Sequence, residues 1–204
     1  MRMGFVTWIR VSVLILAGIG GIAGCGGRPS DSRDAAAAGA KAAQEAAARA
    51  EADARRERDR LASLWTYTTV PVGNGQQAAA SIKSTNDVDA DGKTPKSVLL
   101  VFRDHPSWGR SSYLVLQSGD FNCYGRCTVN VTADAAAPKP MAARRPKTDE
   151  AIAMFIDDAR ALYRLTTAAK RINIEFPVKA GGTRTALFDV AGLDGSKLPG
   201  WVIR

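Results

Sequence analysis

"SVLLVFRDHPSWGRSSYLVLQS", residues 97–118, indicates the fold class of this chain more directly than any other segment. Its two ends, residues 97–103 and 111–118, are rich in aliphatic and aromatic residues, whereas the middle contains Pro106 and Gly109. Two apolar runs around a segment with proline and glycine are typical of antiparallel strands joined by a turn. We therefore expect strands on both sides of this turn.

The rest of the C-terminal part continues this pattern. Five more segments have a strand-like composition: residues 64–70, 78–84, 128–134, 171–179 and 183–193. Turn-forming residues separate them, for example Gly73, Asn74 and Gly181. The pattern predicts a mainly β domain over residues 64–204, with an antiparallel sheet or sandwich of about seven strands.

One segment of this domain, residues 148–171, has a helical pattern instead. Its apolar residues recur at helical spacing, and they are Ile152, Phe155, Ile156, Ala159, Leu162 and Tyr163. Thr148 or Asp149 could cap its start. We expect one helical segment here, packed on the sheet and followed by the last two strands.

A long alanine-rich helix is expected before the β domain, over residues 32–63. Alanine has the highest helix propensity, and Glu45 with Arg49 and Glu51 with Arg55 are spaced to pair on a helix surface. This stretch has almost no large apolar side chains to bury, so we interpret it as a solvated stalk. A weak alanine coiled coil and a partly disordered linker are the alternatives.

Residues 1–24 have the pattern of a lipoprotein signal peptide. Arg2 and Arg10 come before an uncharged apolar run of 14 residues, 11–24. This run is shorter than the roughly 20 residues that a helix needs to span a bilayer. The run leads into Ile-Ala-Gly-Cys at 22–25, which resembles the lipobox of bacterial lipoproteins. That resemblance implies cleavage before Cys25 and acyl chains on its sulfur and amine. An uncleaved anchor and an ordinary secretory signal are the alternatives.

The predicted address is the bacterial cell envelope. With Cys25 acylated, residues 25–31 would form a flexible tether, and more than one acyl chain would make the anchoring stable. The lipoprotein sorting rules favour the outer membrane, because Gly26 and not aspartate follows the cysteine. We therefore expect a membrane partner through the lipid, a domain that faces the periplasm and no contact with nucleic acid. Removal of residues 1–24 takes away Arg2 and Arg10 and no acids, so the formal net charge falls from +8 to +6, which would favour anionic partners.

Cys123 and Cys127 are the two cysteines that remain once Cys25 carries lipid. In an exported protein a disulfide between them is the default expectation, and a redox-active dithiol is the alternative. The surrounding "GDFNCYGRCTVNV" predicts a hairpin, in which Phe121 leads into a turn at Gly125.

Few residues suggest a metal or catalytic site, and no cofactor is expected. Asp87, Asp89 and Asp91 precede Gly92 as in the opening of a calcium loop, but Val98 occupies the twelfth position, where such loops carry glutamate. We expect no metal site, with these aspartates as a weak calcium candidate.

His105 is the one histidine, so any serine or cysteine triad would have to use it, and its surroundings lack a nucleophile motif. A non-catalytic domain is therefore expected.

Three residues are candidates for contact with a partner protein or the cell wall. Arg144 and Arg145 lie in "KPMAARRPK", residues 139–147, which we interpret as a mobile basic loop. Trp108 lies in the turn between two predicted strands. Solvated surface charge and ordinary sheet aromatics are the alternatives.

Several motifs together resemble a group of uncharacterised proteobacterial envelope proteins. These are the Trp-x-Tyr at residue 65, the paired cysteines and the closing Phe-Asp-x-Ala-Gly-Leu at 188–193. The resemblance covers roughly residues 65–193, implies a similar fold and compartment, and brings no assigned activity. The polar "PVGNGQQ" and "DVDADGKTP" loops depart from it. We expect a lipid-anchored binding module, with an envelope hydrolase that has an unrecognised site as the alternative.

Overall fold

The computed structural model describes residues 29–146 and 152–201. The predicted signal peptide, Cys25 and the first residues of the tether lie outside this range, as do Lys147, Thr148 and Asp149. The chain divides into two compact units, residues 1–47 and 48–204. No helix within the described residues is long and apolar enough to cross a membrane.

The predicted alanine-rich helix is present as α1, Pro29–Ser63. Its side chains from Ala37 to Arg60 are all exposed, which agrees with a helix that has no apolar face to bury. Ion pairs join Arg56 to Asp53 and Arg60 to Glu57, three residues apart on the helix surface. The role of α1 as a stalk stays a prediction.

The expected β domain is also present, as one nine-stranded sheet with every pairing antiparallel. The strands are β1 (Trp65–Val72), β2 (Gly75–Val88), β3 (Lys96–His105), β4 (Gly109–Val115), β5 (Cys127–Ala133), β6 (Lys139–Arg144), β7 (Ala153–Ile156), β8 (Arg171–Pro177) and β9 (Thr183–Asp189). Their order is β1-β2-β3-β4-β7-β6-β5-β8-β9. All seven predicted strands are found, so the mainly β fold class is confirmed.

The two additional strands correct the sequence interpretation. Residues 139–144 form β6 and not a mobile loop, because Met141 and Ala143 alternate inward and are buried. Residues 153–156 form β7 and not helix, because Met154 and Ile156 likewise point into the core.

The helix α2 (Ala159–Ala168) begins only after β7. Its N-cap is Asp158, whose side chain accepts a hydrogen bond from the Ala161 backbone N–H at 2.9 Å. The predicted helical segment is therefore shorter than expected, although β8 and β9 follow it as predicted.

The last part of β2 contacts β9, which is the strand at the far end of the sheet order. The pairing of β2 with β3 shifts register between Lys83 and Asp87. Beyond Lys83, the Asn86 side chain donates to the Thr185 carbonyl at 2.9 Å and accepts from the Leu187 backbone N–H at 2.8 Å. These side-chain hydrogen bonds substitute for a strand ladder and enclose the core.

The core contains a cluster of aromatic rings around Phe102 on β3. The Phe102 ring centroid lies 6.3 Å from that of Trp65, 5.4 Å from that of Tyr163 and 5.3 Å from that of Trp201. Phe102 is fully buried and Trp201 is 1% exposed. The inner side of β3 is therefore fixed by large side chains from three other parts of the domain.

Cys123 and Cys127 form the expected disulfide, and Gly125 between them has a φ of +81° as the turn requires. The expected hairpin does not form. Phe121 bridges to Val178, while β5, which starts at Cys127, pairs with β6 and β8. The disulfide thus closes a tight turn where the chain enters the sheet.

Candidate binding platform

The turn between β3 and β4 positions Trp108 on the surface. The backbone N–H groups of Ser107 and Trp108 donate to His105 Nδ1 at 3.1 and 3.2 Å, and Gly109 takes a φ of +68° to begin β4. The indole then stacks on the imidazole, with ring centroids 3.9 Å apart and planes 11° from parallel. Trp108 is 71% exposed even though its position is fixed.

His105 has a structural place in this turn. Since Nδ1 accepts two backbone hydrogen bonds, the proton of the neutral ring belongs on Nε2. In the part of the chain that the structure describes, neither a hydroxyl nor a carboxylate side chain hydrogen-bonds to this imidazole. The arrangement supports turn formation and the orientation of Trp108.

Arg103 lies beside Trp108 and is surrounded by aromatic rings. Its Cζ is 5.4 Å from the ring centroid of Trp108, 5.4 Å from that of Tyr113 and 6.0 Å from that of Phe155. These distances are within the range of cation–π contacts. We name this set, Arg103, Trp108, Tyr113 and Phe155, the platform.

The sheet register explains why residues from three strands meet in the platform. Arg103 on β3 faces Ser111 on β4, and Val101 faces Tyr113. Tyr113 in turn faces Phe155 on β7. Because alternate residues of a strand share a face, these side chains lie on the outer face of the sheet, opposite to Phe102.

The guanidinium of Arg103 is held by a serine hydroxyl and by aromatic rings. Its Nε donates to Ser111 Oγ at 3.2 Å. Among the residues that the structure describes, no carboxylate lies within ion-pair distance of Arg103. Burial raises the pKa of Tyr113, and the charge of Arg103 opposes that shift. The platform therefore presents a positive charge among two half-buried rings, Tyr113 and Phe155, and the exposed ring of Trp108.

The two arginines that sequence analysis grouped as partner-binding candidates are in different environments. Arg144 is exposed, and its Nη1 lies 3.3 Å from an oxygen of Asp157. Arg145 is buried, and its Nε lies 2.8 Å from Asp120. Arg145 thus supports the fold around Asp120, whereas Arg144 stays near the outer surface.

Tyr124 forms a second exposed aromatic group, near the disulfide. Lys179 Nζ lies 5.1 Å from its ring centroid and 3.0 Å from Asp120 Oδ2. Hydrogen bonds with Tyr124 and then Asp120 raise the pKa of Lys179. The charges of this group are therefore already paired within the domain.

The structure does not bring the three aspartates of the calcium candidate together. Asp89 Oδ1 accepts from the Gly92 N–H at 2.7 Å, and Asp91 Oδ1 accepts from the Lys93 N–H at 2.9 Å. The hydrogen bond from the Lys93 backbone N–H holds the pKa of Asp91 below its usual value. Asp87 lies on β2. Within the described ranges, no group of three or more potential ligands among His, Cys, Asp and Glu is placed for a metal ion.

A cleft of about 520 Å³ lies between the last turns of α1 and the β8–β9 hairpin. Its charged side chains pair with one another: Arg171 with Asp189 at 3.0 Å and Arg60 with Glu57 at 2.8 Å. The Asp134 carboxylate accepts hydrogen bonds from backbone N–H groups. The cleft was not predicted, and its balanced charges indicate no ligand class.

No protein-family model matches the chain, and no curated protein matches it. The chain is similar to a solved crystal structure, that of invasion associated protein B from Bartonella henselae, with 12% sequence identity and a TM-score of 0.40. The match covers 67% of this chain and 89% of that chain. A likeness this remote carries no argument about function, so the site is interpreted from its own residues.

Proposed function

We propose that this chain is a lipid-anchored lipoprotein of the bacterial cell envelope, with a non-catalytic β domain that binds an envelope partner through the platform. The lipobox at 22–25 supports the anchor, and Gly26 supports the outer membrane. The domain would then face the periplasm. The hydrolase alternative gains no support from the described residues.

The observation that carries the binding proposal is the exposure of a fixed aromatic side chain. Trp108 is 71% exposed, yet a ring stack and two hydrogen bonds of its turn hold it. Trp, Tyr and Arg are the residues that contribute most often to binding hot spots, and the platform combines all three. A side chain that is already ordered loses little conformational entropy on binding.

The binding proposal can be tested by photo-crosslinking in intact cells. A benzophenone amino acid at position 108 should crosslink to a defined envelope partner. The same group at Lys93, which is exposed in the turn between β2 and β3 at the opposite end of β3 from Trp108, serves as the control. Equal products from both positions, or no product from position 108, would contradict a binding role for the platform.

The anchor needs a separate measurement. Intact mass spectrometry of the membrane-extracted protein should show loss of residues 1–24 and added lipid. Cys25→Ser should release the chain from the membrane fraction. An unprocessed chain, or one without lipid, would refute the anchor without affecting the platform.

A further inference from the structure

We infer that the partner presents a carboxylate to Arg103 and a neighbouring apolar side chain to Trp108, as an acidic segment of another protein chain would. The inference rests on the proposed function and names the chemistry that the platform recognises. Three observations support it: the donors of Arg103 for which the described residues provide no acceptor, the charge of the surrounding face and the apolar character of that face.

The first observation concerns the hydrogen bonds of Arg103. Arginine has five N–H donors in one plane. In the described structure one of them, on Nε, donates to Ser111. The aromatic rings lie around the guanidinium at cation–π distances, so a ligand is best received at the terminal nitrogens. Two parallel bonds from those nitrogens fit a carboxylate.

The second observation concerns the charges of the outer face. Continuation of the β4–β7 register places Asp157 opposite Ser111, and this carboxylate is already paired, with its Oδ1 3.3 Å from Arg144 Nη1. The other described outer positions around Arg103 are Gln77, Ala79, Ser81, Lys83, Leu99, Val101, His105, Ser111, Tyr113, Val115, Ala153 and Phe155. None of these other positions carries an acid, and Lys83 adds a second positive charge. Charge complementarity therefore favours an acidic group from a partner.

The third observation favours a protein segment over a glycan. Val101 is 7% exposed on this face, and Leu99, Val115 and Phe155 are half-buried beside it. A glycan placed on such a surface would lose hydrogen bonds to water that these side chains cannot replace. An extended peptide places alternate side chains on one side, so it can offer an acid and an apolar group together.

The charge of this face also argues against docking on an anionic membrane. Lipid-binding surfaces typically carry clusters of roughly four to eight lysines and arginines. This face offers Arg103 and Lys83, with Arg144 already paired to Asp157 at its border. One acidic peptide segment satisfies that charge.

The test uses the full lipidated chain in detergent micelles and two probe peptides. One is acetyl-Leu-Ala-Glu-Ala-Leu-amide, and the matched control replaces Glu with Gln. The Arg103 Nε–H resonance reports binding in the wild-type chain, and the indole N–H resonance of Trp108, whose ring centroid lies 5.4 Å from Arg103 Cζ, reports binding in both the wild-type chain and the Arg103 variant. The glutamate peptide should bind on the order of ten-fold more tightly, since a hydrogen bond to a charged group contributes more than a neutral one. In Arg103→Gln the two peptides should bind with equal affinity. A denaturant midpoint equal to that of the wild-type chain shows that this variant is folded.

Equal affinity of the two peptides for the wild-type chain would overturn the inference, and this comparison does not depend on any variant. Digalacturonate and phosphatidylglycerol vesicles are the competing probes. A shift of the Arg103 resonance by either of them, without a shift by the glutamate peptide, would also overturn it. If the crosslink from position 108 persists in Arg103→Gln cells, the binding function stands and the carboxylate inference fails. If position 108 gives no crosslink, the proposed function itself fails.

Discussion

Replacement of Trp108 by alanine should weaken partner binding by roughly 30-fold or more and leave the fold nearly intact. Less than a third of the Trp108 surface is buried, because the side chain is 71% exposed. Truncation of a fully buried tryptophan costs about 3–5 kcal/mol. Scaling by the buried share gives an expected loss of about 1–1.5 kcal/mol in unfolding free energy, which includes the stack on His105.

Trp201 is the matched control within the same domain. It is 1% exposed, and its ring centroid lies 4.8 Å from that of Tyr163. Trp201→Ala should therefore cost about 3–5 kcal/mol, the range for a buried aromatic side chain. Urea denaturation of both variants, with closely similar m-values, measures this contrast.

The binding loss expected from Trp108→Ala is larger than its stability loss. A hot-spot truncation costs about 2 kcal/mol or more, which corresponds to roughly 30-fold weaker binding. The crosslinked partner, once purified, can be titrated against the wild-type chain and the variant. Unchanged affinity, or a stability loss as large as that of Trp201→Ala, would refute the view of Trp108 as an exposed binding residue.

Three further predictions concern the fold. Replacing both Cys123 and Cys127 by serine should lower the unfolding free energy by about 2 kcal/mol, the estimate for so short a loop, and denaturant titration should detect it. Asp158→Ala should cost about 1 kcal/mol through loss of the helix cap, whereas Asp157→Ala, which breaks an exposed ion pair, should cost less. The free energy of unfolding should fall as the pH rises above about 10. Burial raises the pKa of Tyr113 in the folded chain, so the unfolded chain loses its phenolic proton at a lower pH. Thermal melts of Tyr113→Phe should show a smaller fall with pH.

The fold class could be predicted because strand alternation and turn residues agree over most of the β domain. The β6 segment was missed because its prolines and basic residues resemble a loop, although Met141 and Ala143 alternate into the core. The β7 segment was missed because four residues, Ala153–Ile156, fit both a helical and a strand period. The pairing of this segment with β4 and β6 distinguishes a strand from a helix. That pairing joins residues far apart in the sequence, so the segment itself does not reveal it.

The platform was predictable in part. Trp108 was a candidate from its place in a turn, and a hairpin with known register would have aligned Arg103 with Ser111. Phe155 could not have been included, because its strand was interpreted as helix. The separation of Arg144 from Arg145 follows from strand geometry, which sends neighbours to opposite sides, but it became visible only once β6 was known.

The alternation of β3 connects the core to the platform. Phe102 points inward and is packed by Trp201 and other rings, while the next residue, Arg103, points outward among the platform rings. Because the backbone of β3 is fixed from its inner side, the outer side chain starts from a defined position. The free energy that orders the platform is therefore supplied during folding, and a partner that docks on it has less conformational entropy to remove.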